Sequence, residues 1–357
     1  MAAKRKIALV GATGIAGQQF VAALADHPWF QITRMVGSER SAGKRYGDAL
    51  RDAKTGARRW WCDVEPPPSV LDIEVEDSAT FQPDGVDLVF SAVEADVARE
   101  LEPRYARTTP VVSTASAFRY EDDVPIIVPG VNWDHARLLP LQRERRGWQG
   151  YITPIPNCTT TGLVLALKPI RDAFGVRKVL LTSMQGISGA GRSPGVVALD
   201  IVDNIVPFIP KEEEKVARET RKIFATLGEG GLREPDLVVS ATCTRASVLE
   251  GHTESVSVST EKAATPSEIT AVMRAFDGGD LPSAPKRWIV VHDDPFRPQP
   301  RLDRDAEGGM ATSVGRIRLD PVLENGIKFV LVSHNTKMGA AKGAVLVAEH
   351  LYRQGLV

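Results

Sequence analysis

The stretch "RKIALVGATGIAGQQFVAALADH", residues 5–27, decides the fold. Arg5 to Val10 close on four consecutive apolar residues, the signature of a strand buried on both faces, and from Ala16 onward the apolar residues recur at helical spacing. Between them Gly11, Gly14 and Gly17 give GxxGxxG, with Thr13 and Ile15 inside the turn. Glycine there permits a tight strand-to-helix turn and lets backbone N–H groups approach a pyrophosphate at the positive end of the helix. A purely structural glycine turn is the plainer alternative. The placement between strand and helix favours the dinucleotide.

Working outward, "FQITRMVGS" (30–38) reads as a second strand. Short apolar runs at 86–93, 109–116 and 124–131 end in small or polar residues, Ser91 among them, as parallel strands with functional C-terminal ends do. Residues 1–156 are therefore expected to form a Rossmann-like doubly wound α/β domain. The loop after the second strand, "VGSERSAGKR", offers Ser38, Arg40, Ser41 and Lys44 to a 2′-phosphate. Glu39 is the one acidic residue that would suit a bare ribose instead, so the loop favours NADP over NAD.

The totals narrow the class. A chain of 357 residues with 43% hydrophobic content has length enough for two domains. A formal charge of −1 without a basic patch speaks against nucleic-acid or membrane-surface partners. No apolar run approaches a membrane span and the N-terminus has no cleavable leader pattern, so a cytoplasmic protein is expected. Cys62, Cys158 and Cys243 are an odd, scattered set, unsuited to a disulfide framework, and the six dispersed histidines suggest no metal.

Beyond residue 157 the texture changes. The runs 176–188, 235–249 and 252–260 read as longer antiparallel strands, with helical stretches at 195–206, 211–226 and 265–275. Residues 157–335 are thus expected to form an α+β catalytic domain. Segment 291–308 reads as a long ordered loop, and a last helix, 336–354, as returning to the first domain.

In "ITPIPNCTTTGLVLALKPI" (152–170), Cys158 stands between Asn157 and three threonines at the start of a helical pattern. A helix N-terminus favours thiolate, the nucleophilic form, and that predicts a lowered thiol pKa. A small buried core cysteine is the alternative, and suits Cys62 and Cys243 better. "TRASVLEGHTESV" (244–256) adds Arg245 and His252, which reach one cleft only if the chain bends near Gly251.

Taken with "PNCTTTG", "QGISGAG" (185–191), "DNIVPFIPKEEEK" (203–215), "PRLDRDAEGGMATSVGRIR" (300–318) and "VSHNTKMGAAKGAVLVAE" (332–349), these residues resemble the aspartate-semialdehyde dehydrogenases of the archaeal and fungal branch. The resemblance runs in order along almost the whole chain. It implies a second domain of the glyceraldehyde-phosphate-dehydrogenase-like catalytic and dimerisation type. The implied reaction is NADP-dependent reductive dephosphorylation of L-4-aspartyl phosphate to the semialdehyde in aspartate-family amino-acid biosynthesis, by a homodimer or homotetramer. Cys158 would be the nucleophile, Gln185 would orient the thioacyl intermediate, and His252 would be general acid/base. Arg245 would grip the substrate carboxylate and Glu212 its amino group, while Lys215, Arg119 and Asn157 would receive phosphate. Asn335 and the loop Ser188, Gly189 and Gly191 would hold the nicotinamide end. Two departures, an inserted Arg192 in "SGAGRSPG" and Glu94 in place of a small residue, touch cofactor geometry.

Malonyl-CoA reductase shares the scaffold but would not need the Asn157, "EEEK" and "SAFR" features. Acetylglutamyl-phosphate reductase and glyceraldehyde-phosphate dehydrogenase fit "NCTTT" and Gln185 less well. A non-catalytic NADP-binding protein leaves Cys158, Gln185, Arg245 and His252 without a purpose, and a cysteine peptidase leaves the glycine turn without one.

Overall fold

A computed structural model describes residues 3–190, 198–228 and 231–357. The first 154 residues build a six-stranded parallel sheet whose order places Arg5–Val10 between Phe30–Gly37 and Leu88–Ser91. Val75–Asp77 forms one edge, and Val111–Ser113 followed by Ile152–Pro154 the other. This is the doubly wound order in which a ligand lies outside the strand C-terminal ends, beside the first strand.

The glycine turn is shaped by contact. Gly11 has φ +80° and an added Cβ would lie 2.4 Å from the carbonyl oxygen of Ala92, so no side chain fits. The helix that follows, Ile15–Ala23, packs Phe20 against Phe90 with ring centroids 4.7 Å apart. On the same core lies the C-terminal helix Lys342–Arg353, through Ala344, Val345, Ala348 and Leu351.

The run 124–131 is not a strand. Val124, Ile126, Ile127 and Val128 are all buried, but Pro125 and Pro129 withhold the donors that a sheet ladder needs. Asn132 replaces that ladder, accepting from the Val128 N–H at 2.8 Å and donating to the Ile126 carbonyl at 2.8 Å. The sixth strand comes from residues 152–154 instead.

The second sheet has seven strands, running Ile289–Val291, Thr312–Leu319, Gly326–Ser333, His252–Ser259, Lys178–Gln185, Val238–Ala246 and Ile205–Val206. It is mixed rather than antiparallel throughout: Lys178–Gln185 pairs parallel with Val238–Ala246, and Ile289–Val291 with Thr312–Leu319. Parallel pairing brings Gln185 level with Arg245 at the same sheet end. Within the expected helix 195–206, the described residues are helical only at Ala198–Ile201, and Ile205–Val206 is the edge strand. The segment 291–308 is mostly loop, with a helical turn at Pro300–Asp303 and the start of a 3-10 turn, Ala306–Gly309.

Helix Cys158–Phe174 lies on this sheet, buried continuously from Thr159 to Leu167. At Gly162 an added Cβ would stand 2.7 Å from Ser333 Cβ, so the helix sits directly against the strand. Its first residue is Cys158.

Candidate active site

Asn157 fixes the start of the Cys158 helix. Its Oδ1 accepts the N–H groups of Thr159 at 2.9 Å and Thr160 at 3.3 Å, satisfying donors that every helix N-terminus leaves open. Its own groups are clamped by two acids of helix Glu212–Ile223: the backbone N–H donates to Glu219 at 2.6 Å and the side-chain amide to Glu212 at 2.7 Å. Seven residues separate the two glutamates, so they share a helix face. That spacing was readable in "EEEKVARE", yet the functional reading stopped at Glu212; Glu219 is fully buried and also accepts from Arg119 at 3.0 Å.

The Cys158 sulfur lies 3.1 Å from His252 Nε2. His252 opens its strand immediately after Gly251, which has φ +93° and lets the chain reverse between Arg245 and His252. On the far side of the ring, the Gly186 N–H donates to Nδ1 at 3.1 Å. With Nδ1 acting as acceptor, the neutral ring carries its proton on Nε2 and directs it at the sulfur. Burial, Arg245 and His334 together push the His252 pKa down to about 3.

The thiol does not follow the expected direction. Burial first, then the Glu212 charge, push the Cys158 pKa up to about 12, outweighing Arg245 and the Thr159 N–H, which act the other way. One helix end cannot offset desolvation beside an anion. Both shifts favour the neutral forms, thiol and imidazole.

A cavity of 490 Å³ opens over Cys158, lined also by Arg245, Glu212, Lys215 and Arg119, with Ile15 of the first domain across from them. Arg245 donates through Nη1 to the Gly186 carbonyl at 2.9 Å, and the rest of its guanidinium faces the cavity. Lys215 Nζ stands 3.5 Å from Glu212. Arg119 is already paired with Glu219, and the Asn157 side chain is taken up in capping, so of the three groups expected at phosphate Lys215 is the most accessible. Gln185 is buried and donates to Ser183 Oγ and Glu212, both at 3.2 Å.

Asn335 accepts the Gly251 N–H at 2.9 Å and donates to Ser188 Oγ at 2.8 Å. Gly189 rests against Arg245 and His252: an added Cβ would be 3.0 Å from Arg245 Nη1 and 3.2 Å from His252 Cε1. Gly191 and Arg192 lie outside the described residues. Glu94 is exposed at the cavity rim. Ser91 is buried behind that wall, its carbonyl accepting the Thr114 N–H at 2.9 Å.

A second cavity, of 1200 Å³, meets the first at Ile15 and runs along Thr13 and Gly14 to Ser38, Arg40, Ser41 and Lys44. Glu39 is exposed and outside that lining. Gly14 caps helix Ile15–Ala23 without a side-chain bond, leaving first-turn N–H groups open, and a Cβ at Gly17 would meet Gly11 O at 2.2 Å. Bare helix end, closely approaching backbone and cationic rim fit a phosphorylated dinucleotide. Among the described residues no cluster of three or more His, Cys, Asp or Glu could hold a metal, and no helix is long and apolar enough to cross a membrane.

Two family models match: semialdehyde dehydrogenase, NAD binding domain, over residues 6–139, and semialdehyde dehydrogenase, dimerisation domain, over residues 167–338. The aspartate-semialdehyde dehydrogenase of Methanothermobacter thermautotrophicus is 44% identical, over 96% of this chain and 97% of its own. The chain belongs to the aspartate-semialdehyde dehydrogenase family. The Saccharomyces cerevisiae member is 40% identical over the full length of both proteins. Among solved structures, the Candida albicans aspartate-semialdehyde dehydrogenase with NADP superposes with a TM-score of 0.86 at 37% identity, covering 99% of this chain and all of that one. As a member of this family the chain is an oxidoreductase, built from a dinucleotide-binding domain and a domain of the dimerisation type.

Proposed function

We propose that this protein interconverts L-4-aspartyl phosphate and L-aspartate 4-semialdehyde with NADP, through a thioacyl on Cys158, as a homodimer. The observation that carries the reading is the Cys158–His252 contact at the end of a capped helix, inside a cavity holding Arg245 and Glu212. NADP supplies or accepts the hydride. The full-length likeness to aspartate-semialdehyde dehydrogenases supports this substrate over malonyl-CoA, and the dinucleotide cleft gives no purpose to a peptidase.

The residues divide the work by charge. Arg245 forks the substrate carboxylate, Glu212 faces its ammonium, and Lys215, backed by Arg119 and Asn157, meets phosphate. Cys158 attacks the acyl carbon and gives up its thiol proton to the departing phosphate as the C–O bond breaks; once the thioacyl has been reduced, the C–S bond breaks, the aldehyde is released and the sulfur regains a proton. Both tetrahedral states carry their negative charge on the former carbonyl oxygen, so each needs a donor and neither needs a proton. The neutral Nε2–H of His252 is that donor, and Gln185 orients the thioacyl between the two stages. In the ligand-free protein His252 therefore suits an oxyanion-binding role better than the general acid/base role that the family resemblance implied.

The test is absorbance at the NADPH band with semialdehyde, phosphate and NADP, run beside malonyl-CoA with NADPH. Turnover only with the second pair would reassign the substrate. Arg245→Lys keeps the charge but cannot hold the Gly186 carbonyl and a planar fork together, so the KM for semialdehyde rises about 10- to 150-fold, the worth of one charge-assisted bond. An unchanged KM would make Arg245 a structural anchor.

Cofactor choice is tested separately. Arg40 and Lys44 are exposed, and screening limits each to about 0.5–1 kcal/mol, so the double change to alanine lowers kcat/KM for NADP by about 5- to 30-fold. NAD use stays the same. A wild type that prefers NAD would mean that Glu39 faces the ribose.

A further inference from the structure

Gln18 lies outside every role assigned so far, although it is fully buried on the helix behind the glycine turn. Its amide donates to the Thr13 carbonyl at 3.1 Å and to the Arg59 carbonyl at 2.8 Å, and its oxygen accepts the Trp61 N–H at 2.9 Å. One side chain thus ties the glycine turn to a segment more than forty positions along the chain.

That segment is a compact hairpin, closed on itself by Arg59 N–H to Leu50 O at 2.7 Å and Asp52 N–H to Ala57 O at 2.8 Å. Asp52 receives the N–H groups of Lys54 and Thr55 and pairs with Arg59. The hairpin presents Arg51, Lys54, Arg59 and Trp61 to the larger cavity, across from Arg40 and Lys44. Cations on both walls and an indole beside them suit a nucleotide phosphate and an aromatic base. Gln18 bonds the glycine turn on one side and this hairpin on the other.

Resting on the NADP reading above, we propose that Gln18 is a positioning residue that sets the width of the cofactor cleft. It holds hairpin 50–61 so that Arg59 and Trp61 form the outer wall against the adenosine 2′-phosphate half. Without the amide, the Thr13 and Arg59 carbonyls and the Trp61 N–H lose their shared partner, the hairpin swings away, and cofactor affinity falls while the chemistry at Cys158 is untouched.

The probe is 2′,5′-ADP, titrated calorimetrically into the full-length protein beside NADPH. Gln18→Met keeps the volume and removes all three bonds, so the Kd for both ligands rises about tenfold or more. Amide exchange over 50–61 quickens, while kcat at saturating NADP and the KM for semialdehyde change less than threefold. Trp61→Ala, on a partly exposed side chain, weakens 2′,5′-ADP at least fivefold and serves should Gln18→Met fail to fold. Unchanged affinity in Gln18→Met, or in Trp61→Ala where the first variant does not fold, overturns the positioning role; so does a uniform fall in kcat and in every binding constant. A wild type that does not bind 2′,5′-ADP at all refutes the cofactor reading itself.

Discussion

Cys158→Ser is expected to reduce turnover by about 10⁴-fold or more while leaving NADP affinity within a few-fold of wild type, as measured by steady-state rates and calorimetry. An alcohol in this site faces the obstacles that raise the thiol pKa to about 12, namely desolvation and the Glu212 charge, and starts from a much higher value. The sulfur also carries the acyl group between the two stages, and an oxygen ester accepts hydride less readily than a thioester. Cys62→Ser and Cys243→Ser should stay within a few-fold. The buried Cys243 hydrogen-bonds through its backbone to Glu213, and neither it nor Cys62 lines either cavity. Substantial activity in Cys158→Ser would remove the covalent route altogether.

The raised thiol pKa changes how the site is understood. A resting thiol of about 12 is nearly all protonated at neutral pH, so the attacking form must be generated once substrate and cofactor have entered. Arg245 already acts in that direction, and bringing a substrate ammonium against Glu212 would neutralise the acid that opposes it. On the proposed mechanism Glu212 would both recognise the substrate and restrain the nucleophile until it arrives. Its hydrogen bonds to Asn157 and Gln185 connect the restraint to the helix cap and to the thioacyl site.

What the sequence disclosed, and what it hid, follows from the range of each interaction. The glycine turn, the apolar strand Arg5–Val10 and the helix at Cys158 are local, settled by periodicity and by residues with unusual backbone freedom. The run 124–131 misled because burial alone looks like a strand; the prolines argued otherwise, and Asn132 satisfied the backbone from a direction no pattern reveals. Strand directions in the second sheet depend on crossovers that composition does not record. Glu219, Gln18 and the His252 tautomer were hidden for a related reason. Their partners are Asn157 and Arg119, the Arg59–Trp61 segment, and the Gly186 N–H, each brought close only by the finished fold.

The tautomer leads to the second large effect. His252→Ala should lower kcat by about 10²–10⁴-fold with little change in the KM for semialdehyde, the cost of removing one well-placed donor from a developing oxyanion. The pH profile separates a donor from a base. A histidine is charged below its pKa, and with that value held down to about 3 the ring is neutral from pH 4 upward, its Nε2–H present throughout. Log kcat/KM should therefore show no acid limb near pH 6.5 that belongs to His252. A general base would behave oppositely: its free Nε2 would be lost as the pH fell through an ordinary imidazole pKa, giving a limb that disappears in His252→Ala. The ring is poorly placed for that part, because accepting a proton at Nε2 would give an imidazolium whose Nδ1–H points at the Gly186 N–H, two donors facing each other across 3.1 Å. Nitrogen-15 spectra of the labelled protein offer a direct check, since the protonated and bare ring nitrogens differ widely in chemical shift. A proton on Nδ1 at neutral pH, or a limb near 6.5 that His252→Ala abolishes, would return His252 to the role of base and require Gly186 to turn away.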